Sequence, residues 1–377
     1  MIATIVITTY RQAVILEYIL CALLAQVTLY DFDIIVCDDG SEDNSYDIIS
    51  KYRQNTKGIN IAYNWQQDRR FRAAAARNSG IINSKGRFII LLDGDMIPAT
   101  DYVQKHVKYH LNNPGSLLSG GRLTIDDSIF FEFCKLKPNF LKTLSCIDSR
   151  SFLNIEELEM RKKWYHSNKS WMAMFSCNLS FPKSDYSKYS ELFIGWGIED
   201  WDISLRLYKK HNKIHFDENI IAYHVDYKPV ISNAFRNNDH LQMAEFARNL
   251  LMFIDQYPEE DLVECAIALS SYQIKNNRLQ WVGDGNKLRT ISSSIEVIRK
   301  WLSDNNIYTK GEPFFIEQEF NNTKVITGFN ELTLESIKEV KSNFDQIQIN
   351  VFGINPNDLS KIKRLANNES INIKINC

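Results

Sequence analysis

The first hundred residues alternate two hydrophobic periods, and that alternation constrains the fold more than any other feature of the chain. Ile2–Thr8 is a near-continuous apolar run, the pattern of a strand buried on both faces. Arg11–Gln26 follows with helical spacing, and Phe32–Cys37 is a second apolar run closed by Asp38-Asp39-Gly40-Ser41. Asn44–Gln54 reads as a helix, Gly58–Trp65 as a strand and Ala-rich Arg72–Asn83 as a helix. Arg87–Leu92 is then a strand ending in Asp93-Gly94-Asp95. Strands and helices alternating at this length are βαβ units, so the expected class is α/β, Rossmann-like, with a mostly parallel sheet. Ligands of such sheets bind at the carboxyl ends of the strands. Both acidic turns sit at such ends.

The middle is less regular. Ser116–Ile125 and Trp171–Phe181 read as strands, Glu199–His211 as a helix, and Lys213–Phe216 and Ile220–Val225 as short strands. The core pattern stops at Tyr257-Pro258-Glu259-Glu260. The expected division is therefore a principal domain, 1–257, and a smaller α/β accessory domain, 258–377. In the latter, Asp261–Lys275 and Ser292–Ser303 have helical spacing. Val325–Phe329, Leu334–Ser342, Ile347–Phe352, Asp358–Asn367 and Ile371–Ile375 continue as strand, helix, strand, helix, strand. This tail holds no cluster of chemistry-bearing residues. It reads as a structural addition or dimerisation surface, with polypeptide recognition as the alternative.

Charge and composition exclude several classes. Of 377 residues, 44 are Lys or Arg and 46 are Asp or Glu, a net charge of −2 with His neutral. A dedicated nucleic-acid binder needs an excess of cationic charge, so no nucleic-acid partner is expected. With 44% hydrophobic residues the chain can build a large core, and disorder as the main state is excluded. Seven cysteines without a CxxC fit neither a zinc ribbon nor a disulfide framework, and point to a reducing compartment. The longest apolar stretch, Ala13–Val27, carries Glu17 and Gln26 and is too short to span a bilayer, and no basic leader region precedes the first strand. The expected location is the cytoplasm, with membrane contact only peripheral. Two basic, aromatic segments, Phe130–Lys142 and Arg161-Lys162-Lys163-Trp164, read as a solvated face, or else as an acceptor groove or a surface for anionic headgroups.

Three clusters carry the chemistry. Asp93 and Asp95 repel each other unless a cation or donors neutralise them, and hard oxygen ligands suit Mg²⁺ or Mn²⁺ bridging to phosphate. Taken alone, the pair is equally a polar turn. In Gly195-Trp196-Gly197-Ile198-Glu199-Asp200-Trp201-Asp202, the glycines permit close backbone approach and a Trp offers a face for a sugar ring. The acids open a helix, where the dipole favours them. Asp202 is accounted for by an i,i+4 pair with Arg206. His224, 24 residues after Asp200, reads as a structural residue or as a ligand returning to the same site.

Six ordered motifs carry a resemblance. Thr8-Thr9-Tyr10, Val36-Cys37-Asp38-Asp39-Gly40-Ser41, Phe71-Arg72-Ala73-Ala74-Ala75-Ala76-Arg77-Asn78-Ser79-Gly80 and Leu91-Leu92-Asp93-Gly94-Asp95 resemble the nucleotide-sugar half of family 2 glycosyltransferases with the GT-A fold. Cys177-Asn178-Leu179-Ser180-Phe181 and Gly195–Asp200 resemble the acceptor half of galactosyltransferase-like and chondroitin-polymerase-like members. The resemblance covers about residues 1–230. It implies that Thr8, Tyr10, Asp38 and Asp39 hold uracil and ribose, and that Arg77 binds near the diphosphate. Asp93 then contacts ribose or metal, while Asp95 and His224 ligate Mn²⁺ or Mg²⁺. Asp200 is the implied catalytic base, Glu199 grips an acceptor hydroxyl, and Trp196, Gly197 and Asn178 shape the sugar and acceptor side. Members of this kind often carry a second His shortly after the first; here Asp226 and Tyr227 stand in that region. The implied partners are a UDP-sugar donor and a glycan, glycolipid or polypeptide acceptor.

Overall fold

Each apolar run of the first hundred residues becomes a strand whose neighbours are set by the crossover helices between them. The structure, a computed structural model, describes residues 1–56, 58–135, 153–211, 213–226, 240–275, 278–281, 291–305, 316–320, 323–328 and 346–351. The principal strands are β1 (Ala3–Thr9), β2 (Phe32–Asp38), β3 (Ile61–Trp65), β4 (Phe88–Asp93), β5 (Met96–Pro98), β6 (Leu117–Asp126), β7 (Leu153–Asn154), β8 (Asn178–Pro182) and β9 (Ile214–Asp226). Among the described residues they form one sheet in the order β3-β2-β1-β4-β8-β6-β9-β5, with β7 paired to β6. The helices are α1 (Ala13–Leu24), α2 (Ser45–Asn55), α3 (Ala73–Asn83), α4 (Tyr102–Asn112), α5 (Asp127–Lys135), α6 (Glu156–Tyr165), α7 (Glu199–His211), α8 (His240–Gln256), α9 (Val263–Ser270) and α10 (Ile291–Asp304).

Strands β3, β2, β1 and β4 run parallel, and β8 returns antiparallel to β4. Ile5, Ile7, Ile34, Val36, Ile90 and Leu92 are all inaccessible to solvent. These strands are covered on both faces, which is why they read as continuous apolar runs. The register does the positioning. Thr9 pairs with Asp38 and Thr8 with Asp93, so β1, β2 and β4 end side by side. At the far end of the sheet Met96 pairs with His224, and Thr124 of β6 with the same histidine.

Several expectations are revised. The stretch 171–181 is not one strand: Ser170–Ala173 forms a 3-10 turn, and only Asn178–Pro182 is extended. Arg161 Nε donates to Ala173 O at 2.9 Å, holding that turn against α6. The two short strands expected at 213–216 and 220–225 are one strand, β9. Its pairing with β6 jumps from Gly120–Asp217 to Gly121–Ile221, an irregularity that takes up residues 218–220. Arg161 is not solvated. It is fully buried between the rings of Phe175 and Phe216, each 4.7 Å away, and its NH2 donates to Ser119 Oγ at 2.6 Å. Of the segment 130–142, residues to Lys135 belong to α5 and the remainder lies outside the described residues.

The chain divides into two compact units, Met1–Ile295 and Glu296–Cys377. The boundary expected after Tyr257 thus falls inside the first unit. Tyr257 OH donates to Asp202 Oδ1 at 2.7 Å, Lys209 pairs with Glu259 and Glu260, and Lys169 pairs with Asp261 and Glu264. In the second unit, β10 (Ile316–Phe320) pairs antiparallel with β11 (Thr323–Gly328), which pairs parallel with β12 (Gln346–Val351). The elements expected at 334–342, 358–367 and 371–375 lie outside the described residues. Among the described residues, no helix is long and apolar enough to cross a membrane.

Candidate active site

The ends of β1 and β2 build a polar pocket of carboxylates. Asp38 Oδ1 accepts from Ser41 N at 2.8 Å, and its Oδ2 from Tyr63 OH at 2.8 Å. Asp39 Oδ1 accepts from Gln66 Nε2 and Oδ2 from Arg72 N, each at 2.5 Å. Burial pushes the Asp39 carboxyl up to about 6 despite those donors. Tyr10 OH donates to Asp68 Oδ2 at 2.7 Å, and burial together with that carboxylate raises its phenol to about 12. The hydroxyl oxygens of Thr8 and Thr9 are buried without a hydrogen-bond partner.

Beside this pocket, three sequence-distant segments meet. Arg77, at the buried start of α3, reaches the turn after β4 and the N-terminus of α7 together. Its NH2 lies 2.9 Å from Asp93 Oδ1, and its NH1 lies 3.0 Å from Glu199 Oε1 and 3.5 Å from Asp200 Oδ1. Asp95 Oδ2 lies 3.3 Å from His224 Nε2. Gly94 keeps the turn tight: its N–H donates to Thr8 O at 2.7 Å, and a Cβ there would come within 2.9 Å of Thr9 and Gln12 atoms. Asp93, Asp95, Arg77, Glu199, Asp200 and His224 therefore form one site, next to Asp38 and Asp39.

The electrostatics are uneven. Burial pushes Glu199 up to about 7, helped by the charge of Asp200 and opposed by Arg77. It also raises Asp93, against the pull of Arg77. Asp95 ends below the usual carboxylate range: burial works to raise it, but His224, Arg122 and a hydrogen bond from Gln12 prevail. Burial alone would weaken Arg77, yet Asp93, Asp200 and Glu199 hold it firmly protonated. One cation thus organises three carboxylates.

The Gly-Trp segment reaches the site through left-handed backbone. Gly195, Gly197 and Ile198 have φ of 83°, 87° and 80°. A β-branched residue in the left-handed region is a clear outlier, and here it directly precedes Glu199. Trp196 is 44% exposed, and its ring lies 5.2 Å from that of Phe246. Trp201 is spent on packing, edge-on to Trp164 and Trp171. Asp202 pairs with Arg206 at 2.6 Å as its i,i+4 spacing implied.

Asn178, expected on the acceptor side, sits in the sheet interior instead. Its Nδ2 donates to Gly121 O and Ile220 O at 3.0 and 2.9 Å, and its Oδ1 faces His106 Nε2 at 3.0 Å. It fastens β8 to β6 and β9 and has no polar atom left for a ligand. His106 and His110 share Ser180 Oγ at 2.8 and 2.7 Å in the same buried network. Sequence reasoning missed Gln12, Gln66, Arg72 and Arg122. Arg122 pairs with Glu157 at 2.6 Å and adds positive charge near Asp95. Only its place on the strand two residues before Thr124, the partner of His224, could have pointed to it.

Asp95 and His224 fit a divalent cation. Two ligands of an octahedral ion at ~2.1 Å stand about 3 Å apart, comparable with the gap between them. Among the described residues no group of three or more His, Cys, Asp or Glu is arranged to hold a metal.

The fold is thus an α/β sheet with carboxylates gathered at the carboxyl ends of its strands. Residues 4–171 match the Glycosyl transferase family 2 model, and residues 158–227 the model described as N-terminal domain of galactosyltransferase. Over those residues the chain is similar to the family 2 glycosyltransferases. A hyaluronan synthase of Pasteurella multocida is 29% identical over 243 residues, covering 59% of this chain and 24% of that protein. A chondroitin synthase of Pasteurella multocida (strain Pm70) is 30% identical over 237 residues, with the same two shares, 59% and 24%. The chain thus matches about a quarter of the length of these relatives. A solved mannosyltransferase from Pyrobaculum calidifontis, in complex with GDP-Man and Mn²⁺, overlays at TM-score 0.47 with 12% identity, covering 82% of this chain and 76% of that one. A likeness of that size carries no argument about chemistry.

Proposed function

We propose that the chain is a metal-dependent, inverting glycosyltransferase that moves a hexose or N-acetylhexosamine from a UDP-sugar to a hydroxyl of a glycan or glycolipid. One observation carries the reading. Arg77 ties the Asp93–Asp95 turn to Glu199 and Asp200, while Asp95 ties it to His224. Donor-side and acceptor-side motifs are thereby one site.

Asp38 and Asp39, with the chain at Thr8 and Tyr10, hold the uracil and ribose. Mn²⁺ or Mg²⁺ held by Asp95 and His224, with Asp93 beside them, would supply Lewis-acid stabilisation of the departing diphosphate. Arg77 is already engaged by three carboxylates, so its main work is to hold Glu199 and Asp200 in place. Trp196 gives the sugar ring an apolar face. Glu199 accepts from an acceptor hydroxyl, and Asp200, the more exposed of the two carboxylates, takes the proton. A carboxylate is a far weaker base than an alkoxide, so the proton moves late, as the attacking oxygen turns acidic. A single displacement inverts the anomeric centre.

The test is a panel of UDP-sugars with Mn²⁺, followed for hydrolysis and for transfer to simple glycosides. A β-linked product from an α-linked donor is expected. Retention of configuration, or no turnover of any donor while UDP still binds, would refute the reading.

A further inference from the structure

Both family matches end before α8, yet that helix holds the Gly-Trp loop from behind. Asn249 is fully buried, and its Nδ2 donates to Ile194 O and Gly197 O, each at 3.1 Å. Arg248 NH2 donates to Leu192 O at 3.1 Å. Glu245 packs so closely that a Cβ on Gly195 would come within 2.6 Å of it, and a Cβ on Gly197 would come within 2.8 Å of the Phe246 ring. That ring lies 5.2 Å from the ring of Trp196. Positions 245, 248 and 249 share one helical face, so a single side of α8 touches the loop.

The same helix reaches further. Glu245 pairs with Arg70 at 3.0 Å, in the loop whose Phe71 O accepts from Gly195 N and whose Arg72 N donates to Asp39. At its far end, Gln256 and Tyr257 donate to Asp202 of α7. Ile198, a β-branched residue in the left-handed region after Gly195 and Gly197, is costly to hold and persists only where neighbours over-determine it. Here those neighbours come from α8.

We infer that α8 is an integral scaffold of the active site, and that Asn249 is a positioning residue which fixes the backbone presenting Trp196 and Glu199. The inference rests on the transferase reading for its catalytic consequence, but not for its structural one.

Asn249→Leu removes both donors at similar volume. Amide exchange over 194–198 is expected to accelerate about tenfold or more, with Asp93–Asp95 unchanged. The kcat for hydrolysis of the UDP-sugar best used by the wild type should fall about tenfold, while the Kd for UDP with Mn²⁺ moves less than about threefold. Should Asn249→Leu fail to fold, Arg70→Ala decides instead. Its side chain is 60% exposed, and its loss should raise exchange at the same amides by about threefold. A folded Asn249→Leu with wild-type exchange and kcat would overturn the inference, as would equal losses of UDP affinity and kcat, or Arg70→Ala with unchanged exchange when Asn249→Leu does not fold. If the wild type uses no UDP-sugar, the transferase reading fails by itself, and the exchange measurement still decides the role of Asn249.

Discussion

Arg77 and Glu199 are 122 residues apart in the chain and 3.0 Å apart in the fold, a buried guanidinium against a buried carboxylate. Removing the arginine strands Glu199, Asp93 and Asp200 together. Arg77→Met should cost about 3–5 kcal/mol in urea unfolding, the usual consequence of breaking a buried ion pair. Arg77→Lys should recover little, since one ammonium cannot reproduce the two-sided fork.

Asp200→Asn is expected to lower turnover about a hundred- to ten-thousand-fold, the usual contribution of a general base. UDP affinity, measured by calorimetry with Mn²⁺, should be unchanged. Near-normal turnover in this variant would remove Asp200 from the role of base.

Metal dependence should follow Asp95 and His224. EDTA is expected to abolish turnover, and Mn²⁺ to restore it in the wild type. Asp95→Ala should show no recovery at millimolar Mn²⁺, and His224→Ala should need more metal than the wild type. Full activity of Asp95→Ala after EDTA treatment would contradict the assignment.

Glu199 titrates near 7 because burial disfavours its charge, and Asp200 adds to the effect. If the ionised form grips the acceptor, kcat/KM should rise with pH through about 7 and lose that inflection in Glu199→Gln. The stability contribution has the opposite slope. A folded pKa above the unfolded value favours the native state below about 4.5, and the benefit is lost as pH climbs to about 7.

The buried histidines set the acid limit. Burial, with the neighbouring His110, lowers His106 to about 3, and burial lowers His110 to about 4. Between those values and the ordinary 6.5, the unfolded chain takes up protons that the native state refuses. Stability should therefore fall as pH drops below about 6.5, by about 1.4 kcal/mol per pH unit for each histidine. Unfolding curves for His110→Gln should be visibly flatter over this range.

Much of the donor side was legible in the chain alone because its signals are local. A strand buried on both faces writes itself as an apolar run, and Asp38, Asp93 and Asp95 fall where such runs stop. The first helix turn at Glu199 was equally plain. What escaped was decided by packing between distant segments. Arg161 looks like part of a solvated basic stretch, yet two aromatic rings and Ser119 bury it. Asn178 lies inside a motif shared with acceptor sites, but its amide goes to the carbonyls of β6 and β9. The service α8 gives to Gly195 and Gly197 leaves no periodic trace, since it consists of side chains meeting backbone carbonyls. Trp201, beside the same acids, is half-buried and packs edge-on against Trp164 and Trp171.

The irregularity at 218–220 has a consequence for how this chain tolerates insertions and deletions. Side chains alternate sides along a strand, so an odd change in spacing exchanges the inward and outward sets. Those three residues lie between Asp217, opposite Gly120, and Ile221, opposite Gly121. They act as a measured spacer that brings His224 opposite Thr124 and Met96. Shortening that spacer by one residue would rotate the imidazole to the wrong side of the sheet, leaving every other strand in place. The irregularity, half-buried at Glu218 and buried at Ile220, is thus the chain's length standard for the corner that carries His224.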